Sequence, residues 1–123
     1  MDRKALIERF LDAYNHFDVD GMVELVDSEI QFSNVSDGEV NAVTNGLDEF
    51  RSLAEQSATL FSSRKQTPVR FQMDNDTVNV DIDFVGILAA DMPNAKAGDT
   101  LRVSGRSEYV FRGGSIYRLT DYS

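Results

Sequence analysis

Leu6, Ile7, Phe10, Leu11, Tyr14 and Phe17 recur every three or four positions, the spacing that puts side chains on one face of an α-helix turned toward a core. The pattern predicts a helix over residues 2–16 and, after the Asp18-Val-Asp-Gly21 turn, a second, shorter one over 19–26. From Ile30 the period falls to two, so 29–35 reads as a strand with Ile30, Phe32 and Asn34 on one face. A polar amide therefore lands where the alternation calls for a buried apolar side chain.

The polar run 36–46 reads as a loop holding a short strand around 40–43, and Asn45 is placed to cap the helix that follows. That helix is predicted over 47–62, with Asp48 and Glu49 favouring its first turn and Leu47, Phe50, Leu53, Ala54, Ser57, Leu60 and Phe61 along one face. From Pro68 onward the chain reads as strand. Val69, Phe71 and Met73 precede an Asp74-Asn75-Asp76 turn, and Val78, Val80, Ile82 and Phe84 alternate with Asn79, Asp81 and Asp83. After a loop over 92–98, Leu101, Val103, Gly105, Ser107, Tyr109 and Phe111 alternate with charged and polar residues, and Gly113-Gly114 turns the chain into a last strand over 116–122. Helices followed by antiparallel strands predict one α+β domain over 1–123: a cone-shaped curved antiparallel sheet wrapped around three helices, open at one end.

Composition narrows the chemistry. At 41% hydrophobic and 27% charged the 123-residue chain is of ordinary globular kind, and no stretch approaches the roughly 18 apolar residues of a membrane span. The start carries basic residues with no uninterrupted apolar run after them, so a cytoplasmic location is expected. A net charge of −9 repels phosphate backbones and anionic headgroups, which argues against nucleic-acid and membrane partners. With no cysteine and one histidine, thiol catalysis and cysteine or histidine-rich metal centres are excluded. Acid–base chemistry then rests on carboxylates, tyrosines or lysines, with no metal or other cofactor expected.

The order of elements, the Asn15-His-Phe-Asp-Val-Asp-Gly-Met22 segment and the ending Gly114-Ser-Ile-Tyr-Arg-Leu-Thr-Asp-Tyr122 resemble the nuclear transport factor 2-like superfamily and, within it, the SnoaL-like group. The resemblance covers nearly the whole chain and implies that cone, of cystatin-like architecture, in a homodimer packed sheet against sheet. The superfamily hosts isomerases, epoxide hydrolases, cyclases, dehydratases and association domains, so fold alone names no reaction. On the ketosteroid isomerase pattern the oxyanion tyrosine falls on Phe10, the base on Asn34 and the second donor near Ser107. None of the three is retained: phenylalanine cannot donate a hydrogen bond and an amide cannot be a general base near neutral pH, which argues against that mechanism. On the limonene-type epoxide hydrolase pattern, Phe32-Ser-Asn34 resembles Tyr-x-Asn and Asp121-Tyr122 resembles a terminal Asp-Tyr, whereas the Arg-x-Asp step falls on Gly105-Arg-Ser107. SnoaL-like cyclases use an aspartate near the position of Asp121.

Asp121 and Asn34 are accordingly the catalytic candidates, and Tyr14, Phe32, Phe50, Phe84, Ser107, Tyr109 and Leu119 the ligand-binding ones. Two registers of the last strand stay open. In one, Leu119 and Asp121 face inward; in the other, Ile116, Arg118, Thr120 and Tyr122 do and Asp121 is a solvated surface acid. Asn34 serves equally to satisfy a backbone group at a strand end. Two functions follow: a pocket protein that binds or transforms a mostly apolar or amphipathic, oxygen-bearing small molecule, or a non-catalytic homodimeric association module with a vestigial cavity, pairing through Arg102, Arg106, Glu108 and Arg112 on the outer sheet face.

Overall fold

The computed structural model describes residues 2–123. Helix α1 (Arg3–Asn15) begins where the Asp2 carboxylate accepts from the Ala5 amide, and buries Leu6, Ile7, Phe10, Leu11 and Ala13. It ends in a Schellman arrangement: the Asp18 amide donates to the Ala13 carbonyl at 2.8 Å and the Phe17 amide to that of Tyr14 at 3.1 Å. Phe17 holds the left-handed position, with φ of 58°, where glycine is usual. Helix α2 (Val19–Val23) is shorter than predicted, because Leu25 and Val26 turn into the sheet.

The strands are β1 (Val26–Ser36), β2 (Glu39–Asn45), β3 (Phe61–Asp74), β4 (Thr77–Leu88), β5 (Thr100–Arg112) and β6 (Ser115–Tyr122), with helix α3 (Leu47–Ala58) between β2 and β3. They form one unclosed sheet in the order β2-β1-β6-β5-β4-β3. The α+β cone is as the sequence predicts, with one change: β1 and β6 run parallel, so the sheet is mixed. Three further boundaries differ. The short strand at 40–43 is a full strand, β2, because it pairs with β1 from Gln31 to Ser36. Asn45 does not cap α3; Gly46 holds that position at φ of 88°, and the Glu49 carboxylate reaches back to the Asn45 amide at 3.0 Å. Finally, α3 stops at Ala58 and Phe61 already belongs to a strand.

The helices lie on the concave face, α1 against β3 and α3 against β1 and β2. A core of Ile7, Phe10, Leu11, Met22, Ile30, Phe50, Val78, Val80, Tyr109 and Ile116 joins them to the sheet. Among the described residues no helix is long and apolar enough to cross a membrane. Alternation fails once in the last hairpin, and usefully so. A bulge between Val110 and Phe111 lets Ile116 pair with Phe111 and Leu119 with Tyr109, so both fully buried side chains face inward although three positions apart.

The left-handed Phe17 generates a test. A side chain with a Cβ is strained there by about 1 kcal/mol relative to glycine. We expect Phe17→Gly to be more stable than Phe17→Ala by about that amount in urea unfolding. Equal midpoints would show that the backbone there relaxes without cost.

Candidate functional site

The register of β6 builds the centre of the site. Asp121 pairs with Asn34 on one side and with Ser107 on the other, and Ser107 in turn pairs with Val80. Cross-strand partners share a face, so Asn34, Asp121 and Ser107 form a polar row across three adjacent strands of the concave surface. The Ser107 hydroxyl donates to Asp121 Oδ1 at 2.7 Å. Val80, next to Ser107 on β4, is fully buried and lines neither chamber, so it belongs to the core.

Two connected chambers open over the row. The inner one, of about 80 Å³, is walled by Phe10, Met22, Phe50, Ala54, Tyr109 and Leu119. The outer one, of about 430 Å³, runs past Asn34, Phe61, Ile82, Phe84 and Ser107 to the mouth of the cone. Tyr14, Phe32, Leu53, Ser57, Gln66 and Asp121 line both and form the waist between them. The walls are stiff because the rings lock one another edge-on: Phe10 on Tyr109 at 6.0 Å, Phe32 on Phe50 at 6.0 Å and Phe61 on Phe84 at 5.4 Å between centroids. Gly86 makes room for the last pair, since a Cβ there would meet the Phe61 ring at 2.7 Å.

Burial raises the Asp121 pKa to about 6, against a smaller opposing pull from the Ser107 hydrogen bond. The Tyr109 hydroxyl, on a ring 1% exposed, is pushed well above its ordinary value by burial and, further, by the Asp121 charge. Burial also raises Tyr14, partly offset by the positive Arg64 beside it. The site thus sets a carboxylate that titrates near neutrality against two phenols that keep their protons.

All nine candidates read from the sequence line one chamber or both. Asn34 is less free than its position suggests. Its amide Nδ2 donates to Asn41 Oδ1 at 2.7 Å and to Ser36 Oγ at 3.4 Å, leaving toward the cavity only the acceptor end of the side chain. His16 is exposed and lines neither chamber. Gly105 meets the backbone so closely that a Cβ would collide with the Tyr122 carbonyl oxygen. An arginine cannot occupy that position without displacing β6.

Two site residues escape the sequence reading, Arg64 and Gln66. They sit on β3, which pairs them with Gly86 and Phe84 on the concave face. The Asn15 side chain clamps α1 to this strand, accepting from the Gln66 amide at 2.7 Å and donating to the Gln66 carbonyl at 3.1 Å. Tyr14 on α1 is thereby held over Arg64 on β3. No apolar alternation marks them, since 62–67 is polar throughout and the β3–β4 register shifts between Phe61 and Ser63. Among the described residues no cluster of three or more His, Asp or Glu side chains could hold a metal ion.

The sequence profile of the SnoaL-like domain family matches residues 7–119. No curated protein matches the chain. Among solved structures it resembles a proposed polyketide cyclase from Xanthomonas campestris pv. campestris, 16% identical over 98% of this chain and 88% of that one, with a TM-score of 0.84. TsrD from Streptomyces laurentii is 20% identical over 98% and 89%, at 0.79. AclR, a proposed hydroxylase from Streptomyces galilaeus, is 18% identical over 97% and 86%, at 0.76. At such identities the likeness concerns fold and leaves the chemistry to the residues.

The Asp121 environment has a measurable signature. An acid whose pKa is higher folded than unfolded favours the fold fully below its unfolded value near 3.8, and that contribution is lost as pH rises through about 6. Asp121→Asn keeps the shape and removes the charge. We expect it to be more stable than the parent near pH 8 by about 2 kcal/mol, with the gain gone near pH 4, in urea unfolding at both. A difference that does not vary with pH would show that Asp121 ionises in a solvated setting.

Proposed function

Because the chain belongs to the SnoaL-like domain family, we propose that it binds a mostly apolar, oxygen-bearing small molecule in the two-chambered cavity and that Asp121 moves a proton on it without a cofactor. The observation that carries this reading is the desolvated carboxylate at the waist, held by Ser107 among apolar walls. A pKa of about 6 leaves most of the carboxylate ionised at neutral pH, yet basic enough to accept a proton. In the reaction this supports, Asp121 takes the proton from the carbon beside a ligand carbonyl. The C–H pair becomes the C=C of an enolate and the carbonyl π pair moves to oxygen. The same carboxyl returns the proton at the position where the product needs it, as an isomerase or cyclase does. Tyr14, protonated throughout, is the hydrogen-bond donor at the waist for the developing oxyanion.

The ketosteroid isomerase arrangement is not the route, with phenylalanine at position 10 and asparagine at 34. Epoxide opening by the Arg-x-Asp route is disfavoured by Gly105, for the steric reason above. The net charge of −9 supports a protein without nucleic-acid or anionic-membrane partners.

Native mass spectrometry and turnover assays with cyclic ketones, lactones and epoxides test the reading. We expect Asp121→Asn to retain binding and lose turnover, and Phe10→Tyr to confer no isomerase activity. Full activity in Asp121→Asn would overturn the catalytic assignment and favour a binder or association module.

Homodimerisation through the outer sheet face is part of the proposal, as the family resemblance implies. Two of the arginines expected to pair across the axis are engaged within the chain: Arg106 stacks on Tyr122 at 4.2 Å, and Arg112 holds Asp27 at 3.0 Å and Glu29 at 2.9 Å. Arg102 and Glu108 carry the pairing that remains. Sedimentation at micromolar concentration should give twice the 13.8 kDa chain mass; the single mass would count against a dimer.

A further inference from the structure

Arg64 is the only charged residue in the fully buried class among those described, at 5% exposure. Its guanidinium lies over the Tyr14 ring at 3.6 Å and the Phe17 ring at 4.7 Å, measured to the centroids. Nε donates to the Tyr14 carbonyl at 2.9 Å, whereas Nη1, equally buried, has no hydrogen-bond partner. No ion pair of the described residues includes it. A guanidinium does not shed its proton, so the fold keeps a buried cation with one donor unmet, which is costly unless something completes it.

Its surroundings say what completes it. Arg64 and Asp121 both line the inner chamber, yet burial and Ser107 alone account for the Asp121 shift, so the two charges are not paired. The other walls of that chamber are largely aromatic and aliphatic. A guanidinium that lines a small, largely apolar space matches a single anionic group on an otherwise apolar molecule. The outer chamber, about five times larger, has room for the body of such a molecule.

We infer that the ligand of this pocket is an apolar carboxylic acid, its carboxylate received by the Arg64 guanidinium in the inner chamber and its ring or chain extending past Asp121 into the outer one. The inference rests on the pocket reading above and names the substrate class for that same site. In this pose the body of the ligand passes the waist that Asp121 lines. Arg64 is a binding residue, and the Tyr14 and Phe17 rings hold its plane.

A matched pair of probes tests it: 2-naphthoate and the neutral 2-naphthamide, titrated calorimetrically into the parent protein, Arg64→Met and Arg64→Lys. We expect the parent to prefer the anion by about tenfold, the increment of one charge-assisted hydrogen bond. Arg64→Met should abolish the preference by weakening 2-naphthoate binding more than 2-naphthamide binding, and Arg64→Lys should keep part of it. Arg64→Gln decides the same point if Arg64→Met does not fold. Equal binding of both probes by the parent, or a preference that survives loss of the guanidinium, overturns this inference and leaves the pocket intact. Failure of the parent to bind either probe overturns the pocket reading and this one together.

Discussion

The register of β6 is the constraint on which the site depends. This strand lies between a parallel neighbour, β1, and an antiparallel one, β5, and a slip of one residue would turn Asp121 to the convex face and Thr120 to the cavity. The slip is prevented by packing. Ile116 and Leu119 are both fully buried, and only the bulge at Val110 and Phe111 lets two side chains at that odd spacing point the same way. An extra residue in β6, Tyr117, opposite the Val110–Phe111 step of β5, therefore sets where an acid four positions on points.

Once the register is set, the electrostatics follow from burial. Asp121 accepts one strong hydrogen bond from Ser107, which favours its charged form, but loses more by leaving water, and the balance puts its pKa near neutrality. The same desolvation keeps Tyr14 and Tyr109 protonated. No histidine takes part, and none is needed: a carboxyl group moved upward by its surroundings covers the same pH range.

The sequence carries the architecture well because most of its elements are long and strongly periodic. The first helix shows its apolar face over Leu6 to Phe17, and β4 alternates almost without interruption from Val78 to Phe84. Errors gather where two periods meet. Leu60 and Phe61 fit the apolar face of the preceding helix, so the pattern runs past the true end of α3 at Ala58 and hides the first half of β3. Arg64 and Gln66 were lost with it. The last strand left two registers open for a related reason: alternation assumes regular pairing, and nothing in Ile116-Tyr-Arg-Leu119 marks Tyr117 as the bulged residue. Asn34 shows the reverse. Its face is legible from spacing, but its engagement by Asn41 and Ser36 depends on β2 folding back beside it.

The Asn15–Gln66 clamp has a dynamic consequence. It joins residues 51 apart in sequence, whereas the Ser107–Asp121 bond closes a hairpin of 14. Moreover, β3 is an edge strand held by β4 alone, while β6 has a neighbour on each side. The acid and the cation of the cavity therefore belong to parts of the molecule with different lifetimes. Arg64 sits on the edge strand and meets rings carried by α1 and the turn after it, whereas Asp121 sits on an interior strand.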